Sequence, residues 1–221
     1  MDSGQKRVKI NLMSDSLPPR WLEWAREIQA LSQTGFHYAE NEYNRQRFQR
    51  LMEISAEIIQ DHTRLAADDL LRIFLDQRGY ATPKVDVRAA VFQDEKLLMV
   101  REGSDGHWTM PGGWADVGDA PSQAAEREVW EEAGFHVKAR KLIGVYDSNR
   151  YIPMELFHAF KVVFLCDLID GFARPSYETT EVIFFGKDEI PGQLSGERTR
   201  IRHIQDAFTA HINPNVPAVF D

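Results

Sequence analysis

Three glutamates, Glu128, Glu131 and Glu132, are the residues of this 221-residue sequence whose types and spacing point most directly to chemistry. Separations of three and four residues place side chains on one face of a helix. Like charges at those separations repel each other and destabilise the helix. A hard divalent cation with oxygen ligands removes this repulsion, and Mg²⁺ is the usual ion near phosphates. The alternative is a solvated acidic face that binds no ion.

The helix that carries these glutamates is bounded by residues that commonly start and stop helices. Proline fits the first turn of a helix and glycine fits the position just past its end, so Pro121 and Gly134 predict a helix from about Pro121 to Ala133. The opposite face holds Ala125, Val129 and Ala133, which are small and apolar and suit burial against a sheet. We therefore expect a helix anchored on its apolar side, with the carboxylates pointing outward.

The residues around this helix complete a longer pattern. It runs Gly113, five residues, Asp119, seven residues, Arg127-Glu128-Val129, one residue, Glu131-Glu132, one residue, Gly134-Phe135. The pattern resembles the Nudix box, the signature of hydrolases that act on nucleoside diphosphates linked to another moiety. One position departs from it, because Asp119 stands where the family usually has Glu. That acid supports the box structurally in the family, so the resemblance implies that Asp119 pairs with Arg127.

The resemblance also implies roles for individual residues of the box. Glu128 and Glu132 are the first expected metal ligands, Glu131 is the next ligand and a catalytic residue, and the backbone carbonyl of Gly112 is a further ligand. Arg127 is expected in the catalytic site as the residue that orients a carboxylate. The implied cofactor is Mg²⁺, with Mn²⁺ as a substitute. Such an ion lowers the pKa of the attacking water and stabilises the charge that spreads over the phosphoryl oxygens.

A catalytic base in this family often comes from a loop outside the box. The stretch from Pro175 to Glu181 precedes a predicted strand and offers Glu178 and Glu181. We prefer Glu178. For either residue the alternative is a solvated loop glutamate.

Substrate contacts are expected from four residues outside the box. Arg88 and Arg101 are candidates by position for the positive donors that a diphosphate needs, and the alternative is ordinary surface or strand pairing. Trp108 and Tyr80 could stack on a nucleobase, and packing is the alternative for both. Cys166 lies in an apolar stretch and is expected to be a buried small hydrophobe, not a nucleophile.

The first 80 residues are predicted to be helical. Trp21, Trp24, Ile28 and Leu31 recur at helical spacing, and Gly35 is expected to end this helix. Because both tryptophans keep the helical period, we expect them to serve core or interface packing. Two further helices are predicted, from about Glu40 to His62 and from about Leu65 to Arg78.

An α+β domain is predicted from about residue 81. Period-two alternation from Lys84 to Phe92 indicates a strand, followed by a turn and a return strand. Later elements are predicted as strands at His136–Tyr146, Leu156–Asp167 and Val182–Gly186 and a helix at about Glu197–Ile212. The expected organisation is a helical region over residues 1–80 and a Nudix domain over residues 81–221. The fold that the resemblance implies is an α/β/α sandwich with a mixed sheet.

The resemblance extends to one branch of the Nudix family. It is carried by Gly79–Arg88, Arg101-Glu102 and Trp108–Trp114, and less specifically by Pro18–Trp24. This branch has a helical N-terminal extension and includes CDP-choline pyrophosphatases and ADP-ribose pyrophosphatases. It implies a homodimer in which the extensions contribute to the interface.

Composition and charge limit which partners and which cellular compartment the protein is expected to have. The chain has 26 Lys and Arg against 34 Asp and Glu, a net charge of −8, which argues against nucleic acid as the main partner. Arg45, Arg47 and Arg50 could still form a local patch, so RNA stays a secondary partner. No apolar run is long enough for a membrane span, and the N-terminus lacks the apolar segment of a signal peptide. A single cysteine allows no internal disulfide, which fits a cytoplasmic protein.

Three functions remain, in order of preference. The first is a metal-dependent pyrophosphohydrolase that cleaves a nucleoside diphosphate-X compound, with CDP-choline or ADP-ribose foremost, into a nucleoside monophosphate and phospho-X. The second is an RNA-end-processing enzyme, through exonuclease action or cap removal. The third is a non-catalytic nucleotide sensor that regulates a partner. The presence of all three box glutamates argues against the third.

Overall fold

The computed structural model describes residues 19–148 and 158–221. Within these ranges the chain divides into two compact units. A helical unit holds residues 19–84 with residues 148, 158 and 159, and a sheet unit holds residues 85–147 and 160–221. Pro18 and the first two residues of the predicted strand at Leu156–Asp167 lie outside the described residues.

The helical unit consists of three helices, α1 (Arg20–Tyr38), α2 (Glu42–His62) and α3 (Ala67–Asp76). The start of α2 is capped by Asn41, whose side-chain oxygen accepts a hydrogen bond of 2.8 Å from the backbone N–H of Asn44. The core of the unit is small and is formed by Met52, Ala56, Leu70 and Phe74. The prediction of three helices is confirmed, with ends that differ by a few residues.

The prediction that Gly35 ends the first helix is wrong. Helix α1 continues through Gly35 to Tyr38 because α2 packs against it at this point. A Cβ atom on Gly35 would collide with the ring of Phe48, so the missing side chain lets the two helices approach closely. Glycine is less favourable than alanine in a helix by about 1 kcal/mol, and the packing of α1 against α2 outweighs this cost.

The buried face of α1 also differs from the expected one. Its buried residues are Leu22, Ala25, Ser32 and Gln33. Ser55 of α2 fixes this face by donating a 2.7 Å hydrogen bond to the carbonyl of Ala25. Trp24 and Leu31 are 52% and 65% exposed, so part of the apolar stripe read from the sequence lies outside the core.

The sheet unit contains seven strands in its described part. They are β1 (Lys84–Gln93), β2 (Lys96–Glu102), β3 (Trp108–Thr109), β4 (Phe135–Asp147), β5 (Ala159–Gly171), β6 (Thr179–Phe185) and β7 (Val219–Phe220). Their order is β3-β2-β1-β5-β4-β7, and β6 pairs with β2. Strand β7 runs parallel to β4, while the pairs of β2 with β1, β3 and β6 and of β4 with β5 are antiparallel. The predicted mixed sheet is therefore confirmed.

Two helices cover the faces of this sheet. Helix α4 (Pro121–Ala133) contributes to one core cluster together with β1, β2 and β5, and α5 (Ile201–Ile212) contributes to a second cluster. These are the three layers of the expected α/β/α sandwich. None of the helices that the structure describes is long and apolar enough to cross a membrane.

Candidate active site

Helix α4 positions the box glutamates through its apolar face. Ala124, Ala125, Val129 and Ala133 are fully buried on this face. The helix ends as predicted at Gly134, whose φ of +77° lies in the left-handed region that favours glycine. The bounds of α4 are thus those predicted from Pro121 and Gly134, and they fix which way the glutamates face.

The prediction that all three carboxylates point outward is wrong. Glu128 and Glu132 are buried, and only Glu131 has a largely exposed side chain among the three. An oxygen of Glu132 accepts a 2.9 Å hydrogen bond from the backbone N–H of Gly112. The carboxylate of Glu128 lies against Gly113, where an added Cβ would stand 3.2 Å from it. The segment before the box therefore covers two of the glutamates.

Gly112 has to be glycine because of how closely this segment approaches β1. Its φ is +144°, and an added Cβ would collide with the carbonyl oxygen of Val87 and lie 2.9 Å from the Cα of Arg88. Main-chain hydrogen bonds from Val87 to Gly113 (2.8 Å) and from Ala89 to Pro111 (2.9 Å) hold the segment in register with β1. The Gly112 amide is thereby aimed at Glu132.

Arg127 is surrounded by carboxylates. It forms ion pairs with Asp116 (3.3 Å), Asp119 (3.3 Å), Glu128 (3.0 Å) and Glu131 (2.9 Å). The expected pairing of Asp119 with Arg127 is confirmed, so the shorter acid still reaches its partner. The contacts with Glu128 and Glu131 agree with a residue that orients carboxylates.

Burial governs the pKa values of Glu128 and Glu132. It raises the pKa of Glu132 to about 8, although the charge of Arg88 and the Gly112 N–H act in the opposite direction. Burial also raises the pKa of Glu128, and the charge of Arg127 opposes that rise. Two neighbouring acids that resist ionisation are suited to hold a cation, because its charge stabilises their ionised forms.

Arg88 is not placed like a surface residue. It is 3% exposed and forms a bidentate ion pair with Asp86. Its Nε donates to Oδ1 at 3.0 Å and its Nη2 donates to Oδ2 at 2.9 Å. Lys161 of β5 donates to the same Asp86 carboxylate at 2.8 Å. The expected contact of Arg88 with substrate has no support in this geometry.

Arg101 and Glu181 face each other across β2 and β6. Their ion pair measures 2.6 Å, and Arg101 Nε also donates to the carbonyl of Gly106 at 2.8 Å. Glu178 lies in the loop before β6, where its carbonyl accepts a 2.7 Å hydrogen bond from the backbone N–H of Gly103. Of the two glutamates proposed as base, Glu181 is paired with an arginine and Glu178 is fixed through its main chain.

The two aromatic residues proposed to stack on a base differ in exposure. Trp108 is buried in the core and packs edge-on against Phe185, with ring centroids 4.9 Å apart, which favours the packing alternative. Tyr80 is 71% exposed and belongs to the helical unit. Cys166 is buried as predicted.

Sequence reasoning missed Glu102, a buried acid at the end of β2. Burial raises the pKa of Glu102, and Arg198 opposes the rise from 3.4 Å. Its charge also acts on Glu132. The position of Glu102 at the end of an apolar strand was the sequence signal that could have marked it as a buried acid. Lys161 was missed as well, and no local pattern marks it, because its partner Asp86 is 75 residues away.

The comparisons with known proteins agree with this arrangement. A family described as "NUDIX domain" matches residues 82–208, and one described as "UDP-X-like, N-terminal oligomerisation domain" matches residues 19–74. A Bacillus subtilis (strain 168) protein provisionally named an ADP-ribose pyrophosphatase is 32% identical over 203 residues, which cover 91% of this chain and 97% of that protein.

Two solved structures are also similar. A UDP-X diphosphatase has a TM-score of 0.59 and 28% identity and covers 91% of this chain and 98% of its own. An ADP-ribose pyrophosphatase from Streptococcus suis 89-1591 has a TM-score of 0.58 and 35% identity and covers 63% of this chain and 100% of its own. The match over residues 82–208 includes the whole pattern from Gly113 to Phe135. The resemblance read from that pattern is confirmed, and the chain belongs to the Nudix hydrolase family.

Proposed function

We propose that this Nudix hydrolase is a metal-dependent pyrophosphohydrolase that cleaves a nucleoside diphosphate-X compound into a nucleoside monophosphate and phospho-X. The observation that carries the proposal is the buried carboxylate of Glu132 on the Gly112 amide, beside Glu128. This pair places two oxygen donors at a point where ionisation is unfavourable without a nearby cation.

The residues fit a hard divalent ion, and we propose Mg²⁺ with Mn²⁺ as a substitute. Glu128 and Glu132 would hold it, with Glu131 and the Gly112 carbonyl as further proposed ligands. In the described ranges no three His, Cys, Asp or Glu side chains converge on one point. Mg²⁺ is commonly held by one or two carboxylates together with water and substrate phosphates, so the proposal depends mainly on Glu128 and Glu132. When bound, the ion supplies positive charge to the phosphoryl oxygens and lowers the pKa of the attacking water.

Two residues outside the ligand set have distinct proposed roles. Arg127 contacts Glu128 and Glu131 and would keep both carboxylates oriented without touching the substrate. Glu178 would accept the proton of the attacking water, because Glu181 is paired with Arg101 and has less freedom to do so.

The proposed substrates are nucleoside diphosphates linked to a small group. ADP-ribose is supported by the names of the Bacillus subtilis and Streptococcus suis proteins, and UDP-linked compounds by the UDP-X diphosphatase structure. CDP-choline rests on the sequence resemblance alone. Arg101, which is partly exposed, remains the proposed substrate contact of the sheet unit, and Tyr80 remains a stacking residue proposed from the sequence.

A product analysis tests this function. ADP-ribose, CDP-choline and a UDP-sugar are each incubated with Mg²⁺, with Mn²⁺ and with chelator, and the products are separated by chromatography. We expect metal-dependent release of the nucleoside monophosphate, and water labelled with oxygen-18 identifies the phosphorus attacked. Failure to cleave any compound by a folded protein would contradict the proposal and favour the RNA-processing or sensor functions.

We also propose that the chain forms a homodimer through residues 1–80. The match to an oligomerisation domain over residues 19–74 supports this, as do the exposed side chains of Trp24 and Leu31 on α1. An apolar surface of this kind is typical of a protein interface.

A further inference from the structure

The strongest unassigned feature of the sheet unit is a buried cluster of three charges, Asp86, Arg88 and Lys161. Asp86 and Arg88 are two residues apart on β1, so their side chains lie on the same face. Lys161 comes from β5, the neighbour of β1 in the sheet. All three side chains are almost completely buried. Burying charges is costly unless they are paired and hydrogen-bonded, so a cluster of this kind requires an explanation.

The contacts of Arg88 lead from this cluster to the segment before the Nudix box. Its Nε and Nη2 bind the two oxygens of Asp86, which fixes the plane of the guanidinium. The remaining nitrogen, Nη1, donates to the carbonyl of Met110 at 3.3 Å. Thr199 supports the same residue, because its Oγ1 accepts a 3.0 Å hydrogen bond from the Met110 N–H. Met110 is therefore held at both its N–H and its carbonyl oxygen.

Two residues further on, Gly112 donates its N–H to Glu132. The direction of this N–H depends on the main chain from Met110 to Gly113, which the Arg88 side chain holds at Met110 and the β1 backbone holds at Pro111 and Gly113. The cluster has two positive charges and one negative charge, and the charge of Arg88 acts on the carboxylate of Glu132. Arg88 is thus connected to Glu132 both through the main chain and through space.

From this geometry we infer that Arg88 is a positioning residue of the active site: with its plane fixed by Asp86, whose carboxylate Lys161 also binds, it holds the Met110–Gly112 main chain so that the Gly112 N–H keeps Glu132 in place. Because it is 3% exposed, it acts through Glu132 and does not contact substrate. The inference rests on the proposed function in so far as Glu132 takes part in the reaction.

The first test is Arg88→Lys in the full chain. Lysine keeps the charge but has no planar fork, so it cannot bind both oxygens of Asp86 and the Met110 carbonyl together. We expect kcat to fall by about 10- to 100-fold, as for a misplaced catalytic group, with KM changed by less than about threefold. A rise in KM with unchanged kcat would show a substrate contact and overturn the inference.

The second test measures the geometry without reference to activity. Amide hydrogen exchange of Gly112, followed by NMR in metal-free protein, should be at least about tenfold faster in Arg88→Lys than in the natural protein. The matched control is Arg140→Lys, the same substitution at an exposed ion pair with Asp167 (3.1 Å) that joins β4 to β5 in the same unit. It should leave both kcat and Gly112 exchange unchanged.

The two tests separate the inference from the proposed function. Faster Gly112 exchange in a protein that cleaves no compound of the panel would support the positioning role and contradict the function. Unchanged Gly112 exchange in an active Arg88→Lys enzyme would do the reverse. Asp86→Asn provides a second variant that should show the same changes in kcat and exchange. If neither variant folds, the cluster serves stability alone and the inference is overturned.

Discussion

The helical unit and the sheet unit differ in how completely each buries its apolar side chains. The sheet unit has two large clusters, one under each of its covering helices, in which most strand residues are fully buried. The helical unit buries six hydrophobic side chains in its described part and leaves Trp24, Leu31, Tyr43 and Leu51 exposed. A unit with apolar surface in excess is typical of a protein that buries the rest against a partner.

The two units also differ in the polar groups that they bury. In residues 19–84 the buried polar side chains are the neutral Ser32, Gln33 and Ser55. The sheet unit buries charged ones, namely Asp86, Arg88, Glu102, Glu128, Glu132 and Lys161. Because burying charge destabilises a fold unless it is compensated, charges are retained inside mainly where they have a function. The buried charges therefore favour the sheet unit for the proposed chemistry, and the exposed apolar side chains favour the helical unit for the proposed assembly.

The largest effect is expected from Glu132→Gln. Because Glu132 is a proposed metal ligand, its loss should remove several kcal/mol of transition-state stabilisation and lower kcat by about three orders of magnitude or more. The fold should survive, because glutamine still offers an oxygen to the Gly112 N–H. Steady-state kinetics and circular dichroism measure the two effects. Glu126→Gln on the same helix is the control, and full activity of Glu132→Gln would remove that residue from the mechanism.

A smaller loss of activity should separate the two loop glutamates. Glu178→Gln is expected to lower kcat by about 100-fold, as for the loss of a general base. Glu181→Gln breaks a partly exposed ion pair and should change kcat by less than about threefold. If Glu181→Gln proved the more damaging of the two, the proposed roles would have to be exchanged.

Substitutions on the exposed apolar face of the helical unit should change the oligomeric state, and those on the sheet unit should not. Trp24→Glu combined with Leu31→Glu places charge on the exposed apolar face of α1 and should convert the dimer to a monomer in light scattering. Ile212→Glu is the matched control, because Ile212 is similarly exposed but ends α5 of the sheet unit. A dimer that persists in the double variant would place the interface elsewhere.

The close approach of α1 and α2 gives a prediction whose sign is informative. Gly→Ala in a helix is ordinarily stabilising by about 1 kcal/mol. Gly35→Ala should instead lower the free energy of unfolding by about 1–3 kcal/mol, because the methyl group meets the Phe48 ring. Urea denaturation measures it. Gly192→Ala, with no atom near the added methyl group, should be neutral or slightly stabilising, and the same result at Gly35 would contradict the packing.

The smallest effect concerns Cys166, which lies in the core of the sheet unit. Burial raises the pKa of its thiol to about 12, so at pH 8 the thiolate is roughly one part in 10⁴. The folded protein should leave a thiol reagent unreacted over the time in which the unfolded protein reacts fully. Rapid labelling of the folded form would show that this core opens more readily than its packing implies.

Local signals predicted the elements that carry the site. Pro121 and Gly134 gave the bounds of α4, and period-two alternation gave β1 with its return strand. These predictions succeed because caps, proline and side-chain periodicity act within one turn or one strand. The end of α1 was missed because a contact with Phe48, 13 residues away, overrides the local preference of Gly35.

The sequence by itself determined the family, the helix that carries Glu128, Glu131 and Glu132, and their shared face. Only the tertiary structure decided that Glu128 and Glu132 are buried, that Arg101 pairs with Glu181, and that Arg88 and Lys161 are buried on the same Asp86 carboxylate. The physical reason is the separation along the chain over which each effect acts. Spacing along a helix follows from backbone geometry, whereas burial and charge pairing depend on segments that meet only when the sheet assembles.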